Sequence, residues 1–287
     1  MTKILVTGAN GQLGRCIEDA SLQFSQYEIT YATKTDLDLS NVDSIEAFFQ
    51  GRNFDYCINA GAYTNVEDAE SNKELAFQIN AEGVKALGET CKKHETVLLH
   101  ISTDYVFDGT KTAPYLETDL TNPINVYGAS KLRGEKLLDE ISVNCFIIRT
   151  SWLYSQYGHN FFHTINKHVR LGTDLKITTQ QMGTPTNAND LANALFGIIN
   201  AQSTEYGLYH FSNHGSATWY DFAIAIIQNT RDLQEAKIGK TNDYRTFAER
   251  PAYSVLDKTK FERTFAIPIK DWEESLQYLI TTINRKK

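Results

Sequence analysis

The stretch KILVTGANGQLG, residues 3–14, runs from an apolar segment straight into glycines at 8, 11 and 14. KILVT (3–7) reads as a buried strand, GANGQLG (8–14) as a tight loop, and the residues after it as a helix of roughly a dozen residues, within the ordinary length range. In a strand–loop–helix unit the first glycine permits the turn. The second lets the backbone approach a pyrophosphate, and the third lets helix and sheet pack closely. The helix start adds free N–H groups and a positive dipole end. The spacing GxxGxxG is one residue longer in its first interval than GxGxxG, so the loop alone does not decide the ligand.

Working outward, strand and helix signals alternate. Strands are expected at 27–33, 55–61, 96–103 and 145–151, and helices at 43–50, 73–94 and 129–141. This order with short links predicts an α/β fold, a Rossmann-like doubly wound parallel sheet covered on both faces. Beyond residue 150 the pattern loosens: helices at 160–172, 188–202 and 219–230, strands at 175–179 and 207–212, with Asn187 or Asn189, and Thr218, as candidate caps. We expect residues 1–150 to form the main dinucleotide-binding domain, with elements near 175–202 returning to it. Residues 151–174 and 203–287 are then mainly a smaller mixed C-terminal substrate lobe.

The chain has 287 residues and a formal net charge of -7, which argues against broad nucleic-acid binding. Cysteines at 16, 57, 91 and 145 form no close pair, so neither a zinc pair nor a CxxC redox motif is expected. Cys57 and Cys145 lie in apolar stretches and read as buried thiols of a reducing compartment. No signal-peptide pattern and no membrane-length apolar run is evident, so the expected location is the cytoplasm, without a membrane partner.

The second strand ends near Lys34, where sites for unphosphorylated NAD often carry an acid. A lysine there favours NADPH through its attraction for a 2'-phosphate and leaves NADH open; Asp36 or Asp38 would then lie near the adenine. The strand at 96–103 runs into Thr103 and Asp104. Tyr127 and Lys131, four apart in YGASK, share one face of a helix. A neighbouring ammonium is expected to lower the phenol's pKa, preparing Tyr127 to protonate a carbonyl oxygen while Thr103 donates a hydrogen bond to it. Hydride would come from the dinucleotide, since no side chain supplies one.

With those segments in hand, the chain resembles the extended short-chain dehydrogenase/reductase superfamily, and within it the dTDP-4-dehydrorhamnose reductases. NAGAYTNVEDAE (59–70), STDYVFDG (102–109), NVYGASKLRGE (125–135), RTSWLY (149–154), GTPT (183–186) and RPAYSVLD (250–257) occur in that family's order, along nearly the whole chain. The resemblance implies an NAD(P)H-dependent oxidoreductase that reduces the C4 keto group of dTDP-4-dehydro-L-rhamnose to give dTDP-L-rhamnose, a precursor of surface polysaccharide. It implies a catalytic trio of Thr103, Tyr127 and Lys131, with Lys131 also on the nicotinamide ribose. Gly8, Gly11, Gln12 and Leu13 match the pyrophosphate loop. Asp38 and Leu39 match the adenine segment, and Ala60, Gly61 and Tyr63 the wall beside the cofactor.

For a nucleotide-diphosphate deoxysugar the candidate contacts are Asp104, Tyr105 and Trp152, with Thr64 and Val66 lining the sugar pocket and Arg250 on the phosphates. Some relatives form a magnesium-bridged dimer. The matching positions here are Cys16 and Asn189, poor ligands for a hard cation, so no metal is expected and a monomer or metal-independent homodimer is. Two other readings stay open: a related nucleotide-sugar epimerase or dehydratase, and a non-catalytic dinucleotide-binding regulatory subunit.

Overall fold

Apolar residues in the first strand alternate between two cores, which fixes the layer order. In the computed structural model, which describes residues 1–230, 238–242 and 246–285, β1 spans Thr2–Thr7. Its Ile4 and Val6 join one core cluster and Leu5 the other. The same split recurs in β3 (Tyr56–Asn59), where Ile58 and Cys57 part, and in β4 (Val97–Thr103), where Leu99 and Leu98 part. Period-two alternation between two apolar layers is what a parallel sheet clad on both faces requires.

With β2 (Tyr27–Ala32), β5 (Cys145–Thr150) and β6 (Gly207–His210), the sheet has six strands in the order β6-β5-β4-β3-β1-β2, all parallel. The chain leaves β1 for β2 on one side and returns to β3 on the other. The strand order therefore reverses between β1 and β3, and a crevice opens beyond their carboxyl ends, where open α/β sheets bind ligands.

Helix α1 (Gln12–Ser21) covers one face together with α3 (Ala188–Ala201), through Leu13, Ile17, Leu191, Leu195 and Phe196. The Asn187 side chain caps α3 by accepting from Asn189 N. The opposite face carries the segment 73–93 and α2 (Val126–Ile141). There the expected unbroken helix is interrupted: α-helix at Lys73–Phe77, a π-helical turn at Gln78–Glu82, then α-helix at Gly83–Lys93. The cause is Asn80, buried in the π-turn, whose carboxamide accepts from Tyr63 N (2.8 Å) and donates to Tyr63 O (2.9 Å) and Ser130 Oγ (3.0 Å). Gly134 admits this turn, since a Cβ there would stand 2.2 Å from Asn80 O.

A third core joins Tyr154, Phe162, Phe222, Ile226, Trp272 and Leu276. It includes α4 (Trp219–Asn229), opened by a capping box between Thr218 and Asp221. Strand Leu175–Thr178 pairs with Ile238–Thr241 beside this core, whereas β6 completes the main sheet. All four cysteines are free and buried. Among the described residues no helix is long and apolar enough to cross a membrane.

Candidate active site

A cavity of about 640 Å³ opens at the β1/β3 reversal. Every residue expected at the cofactor lines it: Gly8, Gly11, Gln12, Leu13, Lys34, Asp38, Leu39, Ala60, Gly61 and Tyr63. So do Thr64, Val66, Thr103, Asp104, Tyr105, Tyr127, Lys131 and Trp152. Arg250 stands apart from this lining. Its guanidinium pairs with Glu67, and Glu67 also accepts from Phe247 N (2.9 Å) and Ala248 N (3.1 Å), so the pair fastens residues 247–250 to the helix Val66–Ser71.

The glycine loop fits a pyrophosphate on the chain's own geometry. Gly8 has φ +62°, and a Cβ on it would stand 2.7 Å from the Gly61 backbone; Gly14 has equally little room, 2.5 Å from Ala9 O. Helix α1 is capped by Gly11 with no side-chain hydrogen bond, and no acid lies in its first turn. Its leading N–H groups and dipole are thus left for an anion. At the end of β2, Asp36 accepts from Thr33 N (2.9 Å) and Thr33 Oγ1 (2.6 Å), and Asp38 accepts from Ser40 N (2.9 Å) and Ser40 Oγ (2.7 Å). Both acids are spent on their own turns, while the Lys34 side chain is exposed at the cleft edge.

Thr103 ends β4 and Tyr127 and Lys131 open α2, whose Asn125 cap accepts from Gly128 N at 2.7 Å. A Cβ on Gly128 would stand 2.1 Å from Tyr105 O, so this glycine brings α2 down onto the end of β4. Lys131 is buried; its Nζ donates to Ile101 O at 2.6 Å and lies 3.3 Å from His100 Nε2. Burial pulls its pKa down to about 8, with Glu135 opposing.

One expectation is corrected here. The Tyr127 phenol is not lowered by its lysine neighbour. Burial pushes it up to about 12, a hydrogen bond with Thr103 opposes, and the charge of Asp104 adds to the rise. Desolvation of the phenolate is the largest of these three causes, and Lys131 Nζ is turned to Ile101 O. For a reduction this is serviceable, because a proton donor must hold its proton until the transition state.

Asp104 is fully buried beside the trio. Its Oδ1 accepts from Thr103 Oγ1 at 3.1 Å, and its Oδ2 has no hydrogen-bond partner among the described residues. Burial raises its pKa from 3.8 to about 7. The folded chain therefore keeps this proton to higher pH than the unfolded chain, so the contribution to stability is complete below about pH 4 and is lost as pH rises through about 7. The unfolding midpoint of the natural chain should fall across pH 4–8 relative to that of Asp104→Asn; parallel pH curves for the two would contradict this.

Trp152 has φ +44°, an uncommon value for a bulky residue, and its indole stacks on Trp219 at 3.6 Å and 6°. Trp219, the first residue of α4, donates to Gln181 Oε1 at 2.8 Å, and Gly183 leaves room for the Trp152 indole. One face of Trp152 is thus covered by a second tryptophan that also lines the cleft. Sequence reading missed Trp219, which carries no signal beyond its aromatic type. It also missed Asn59, Asn80 and His100. Each is a polar residue in an otherwise apolar strand or helix face, and that was a legible signal.

Matched against known proteins, residues 1–285 fit the family model of the RmlD substrate binding domain. A dTDP-4-dehydrorhamnose reductase of Aggregatibacter actinomycetemcomitans is 38% identical over 287 residues, covering 96% of this chain and 98% of that relative. Among solved structures, a dTDP-4-dehydrorhamnose reductase from Clostridium acetobutylicum superposes with TM-score 0.92 at 36% identity, covering 99% of this chain and 100% of that one. One from Bacillus anthracis, in complex with NADP, gives TM-score 0.93 at 33% identity, covering 98% and 100%.

Proposed function

The chain belongs to the dTDP-4-dehydrorhamnose reductase family, and from that membership we propose how its own residues carry the reaction. It is an oxidoreductase that binds a nicotinamide dinucleotide and converts dTDP-4-dehydro-L-rhamnose to dTDP-L-rhamnose. The bound reduced dinucleotide would supply hydride to C4. Tyr127 protonates O4, and Thr103 donates a hydrogen bond to the same oxygen. The Lys131 ammonium offsets the charge that Tyr127 acquires and holds the nicotinamide ribose. The carrying observation is that Thr103, Tyr127 and Lys131 converge in the cleft that the glycine loop opens, with Thr103 and Lys131 buried and Tyr127 half-buried.

Gly8, Gly11, Gln12 and Leu13 hold the pyrophosphate. Asp38 and Leu39 flank the adenine, and Ala60, Gly61 and Tyr63 form the far wall. Asp104 and Tyr105 bind sugar hydroxyls, and Thr64, Val66 and the Trp152–Trp219 pair give the methyl-bearing sugar an apolar wall. Arg250 has five N–H donors, so it can serve the nucleotide phosphates while its pair with Glu67 holds residues 247–250 in place. We assign NADPH as the preferred donor, with NADH a weaker substrate, because Asp36 and Asp38 are engaged while Lys34 is exposed at the cleft edge. Cys16 is buried with its thiol pushed up to about 12, and the Asn189 amide is tied to Gln156 and Asn187. These two side chains favour a monomer or a homodimer without a bridging metal. Four free cysteines suit the reducing cytoplasm.

The test supplies dTDP-4-dehydro-L-rhamnose with each reduced cofactor and identifies the product. One cofactor should be oxidised per sugar reduced, which an epimerase or dehydratase would not show. Lys34→Gln should cut the NADPH-to-NADH ratio of kcat/KM by about fivefold, as expected for losing one exposed charge contact of roughly 1 kcal/mol. An unchanged ratio would remove Lys34 from cofactor selection.

A further inference from the structure

Behind the catalytic lysine lies a buried polar chain that the reaction, as described, does not use. Thr7 Oγ1 donates to Asn59 Oδ1 at 2.7 Å, and Gly61 N donates to the same oxygen at 3.2 Å. Two donors on Oδ1 fix the carboxamide, so Nδ2 is the atom facing His100 Nδ1 at 3.0 Å. An amide N–H must donate, so Nδ1 accepts. His100 is fully buried, and desolvation, the largest cause, holds its pKa well below the usual value, so the ring is neutral whether or not Lys131 carries a charge. A neutral imidazole that accepts at Nδ1 carries its proton on Nε2. That N–H points at Lys131 Nζ, 3.3 Å away.

An ammonium has only donors to offer this N–H, whereas an amine has a lone pair that accepts it. We propose that His100 is a positioning residue acting through Lys131: in the tautomer that Asn59 imposes, its Nε2–H holds the uncharged amine against β4 and turns the ammonium outward into the cleft. Charge and position of the lysine are then linked, and protonation delivers the side chain to where the dinucleotide and Tyr127 need it. The titratable and charged groups around Lys131 are His100 on β4, Tyr127 and Glu135 on its own helix, Asp104 at the end of β4, and Arg149 on β5 behind Glu135. Of these, His100 alone has a hydrogen-bonding distance to Nζ.

The inference rests on the assignment of Lys131 to the reaction, but its test reads the chain without turnover. Nitrogen-15 shifts of His100 in the cofactor-free protein should show Nε2 protonated and Nδ1 bare; a proton on Nδ1 overturns the proposal. In His100→Gln the side-chain carbonyl can accept from the ammonium. The Lys131 Cε titration should then move up by about one pH unit, the usual scale for gaining one hydrogen-bond acceptor on the charged form. The basic limb of NADPH binding should move with it. A Lys131 midpoint identical in the two proteins also overturns the proposal. Should His100→Gln fail to fold, the tautomer of the natural chain decides the question alone.

Discussion

Tyr127→Phe should lower kcat by about 10²–10⁴-fold, the usual worth of a positioned proton donor, while leaving cofactor affinity nearly unchanged. The phenol's hydroxyl is the only part removed, and the ring keeps its edge-on contact with Tyr105 at 5.9 Å. Because the phenol is pushed up to about 12, it stays protonated through the neutral range, so this residue should contribute no basic limb to the rate profile until pH approaches 12. The measurement is steady-state turnover beside dinucleotide titration by fluorescence. Full turnover in the variant would show that another group protonates O4.

The second large effect concerns stability. Arg149 Nη2 meets Glu135 Oε2 at 2.6 Å and Arg149 Nε meets Glu135 Oε1 at 3.0 Å, with both side chains nearly sealed from water. Ser102 also donates to Glu135, and the guanidinium lies 5.1 Å from the Phe107 ring centroid. Arg149→Met should cost about 3–5 kcal/mol, because it strands a carboxylate in a dry interior. Arg149→Met with Glu135→Met should recover most of that loss, since an apolar pair of similar volume replaces the charges. Urea unfolding midpoints of the two variants provide the check. A single variant within about 1 kcal/mol of the natural chain would mean that water reaches Glu135.

The strands were legible because each needs apolar residues for two cores at once, and β5, buried along its whole length, shows this as the run CFIIRT. The glycine loop was legible because turn chemistry and helix start are local. Tyr127 and Lys131 could be paired because four residues on a helix put two side chains on one face. The π-turn around Asn80 was not legible: its cause is the Tyr63 backbone, seventeen residues earlier in the chain, and the room left by Gly134. The direction of the Tyr127 shift escaped for a similar reason. Sequence spacing reports a neighbouring charge, but desolvation depends on everything packed around the ring. Arg250 illustrates a third limit, since a lone arginine in a loop says nothing about a Glu67 far from it in sequence.

The sheet's last strand arrives late. β6 comes from residues 207–210 yet lies beside β5, which ends at residue 150. During synthesis the ribosome must release more than fifty further residues before that edge is covered, and until then β5 offers its backbone to any passing chain. A fragment cut at residue 150 would keep the glycine loop but present the same bare edge permanently, along with Phe146 and Ile148 stripped of Tyr209 and Phe265. The dinucleotide half of this chain is therefore poorly suited to life as a detached module, and recombination that exchanges C-terminal portions between relatives must carry the strand at 207–210 with its own β5.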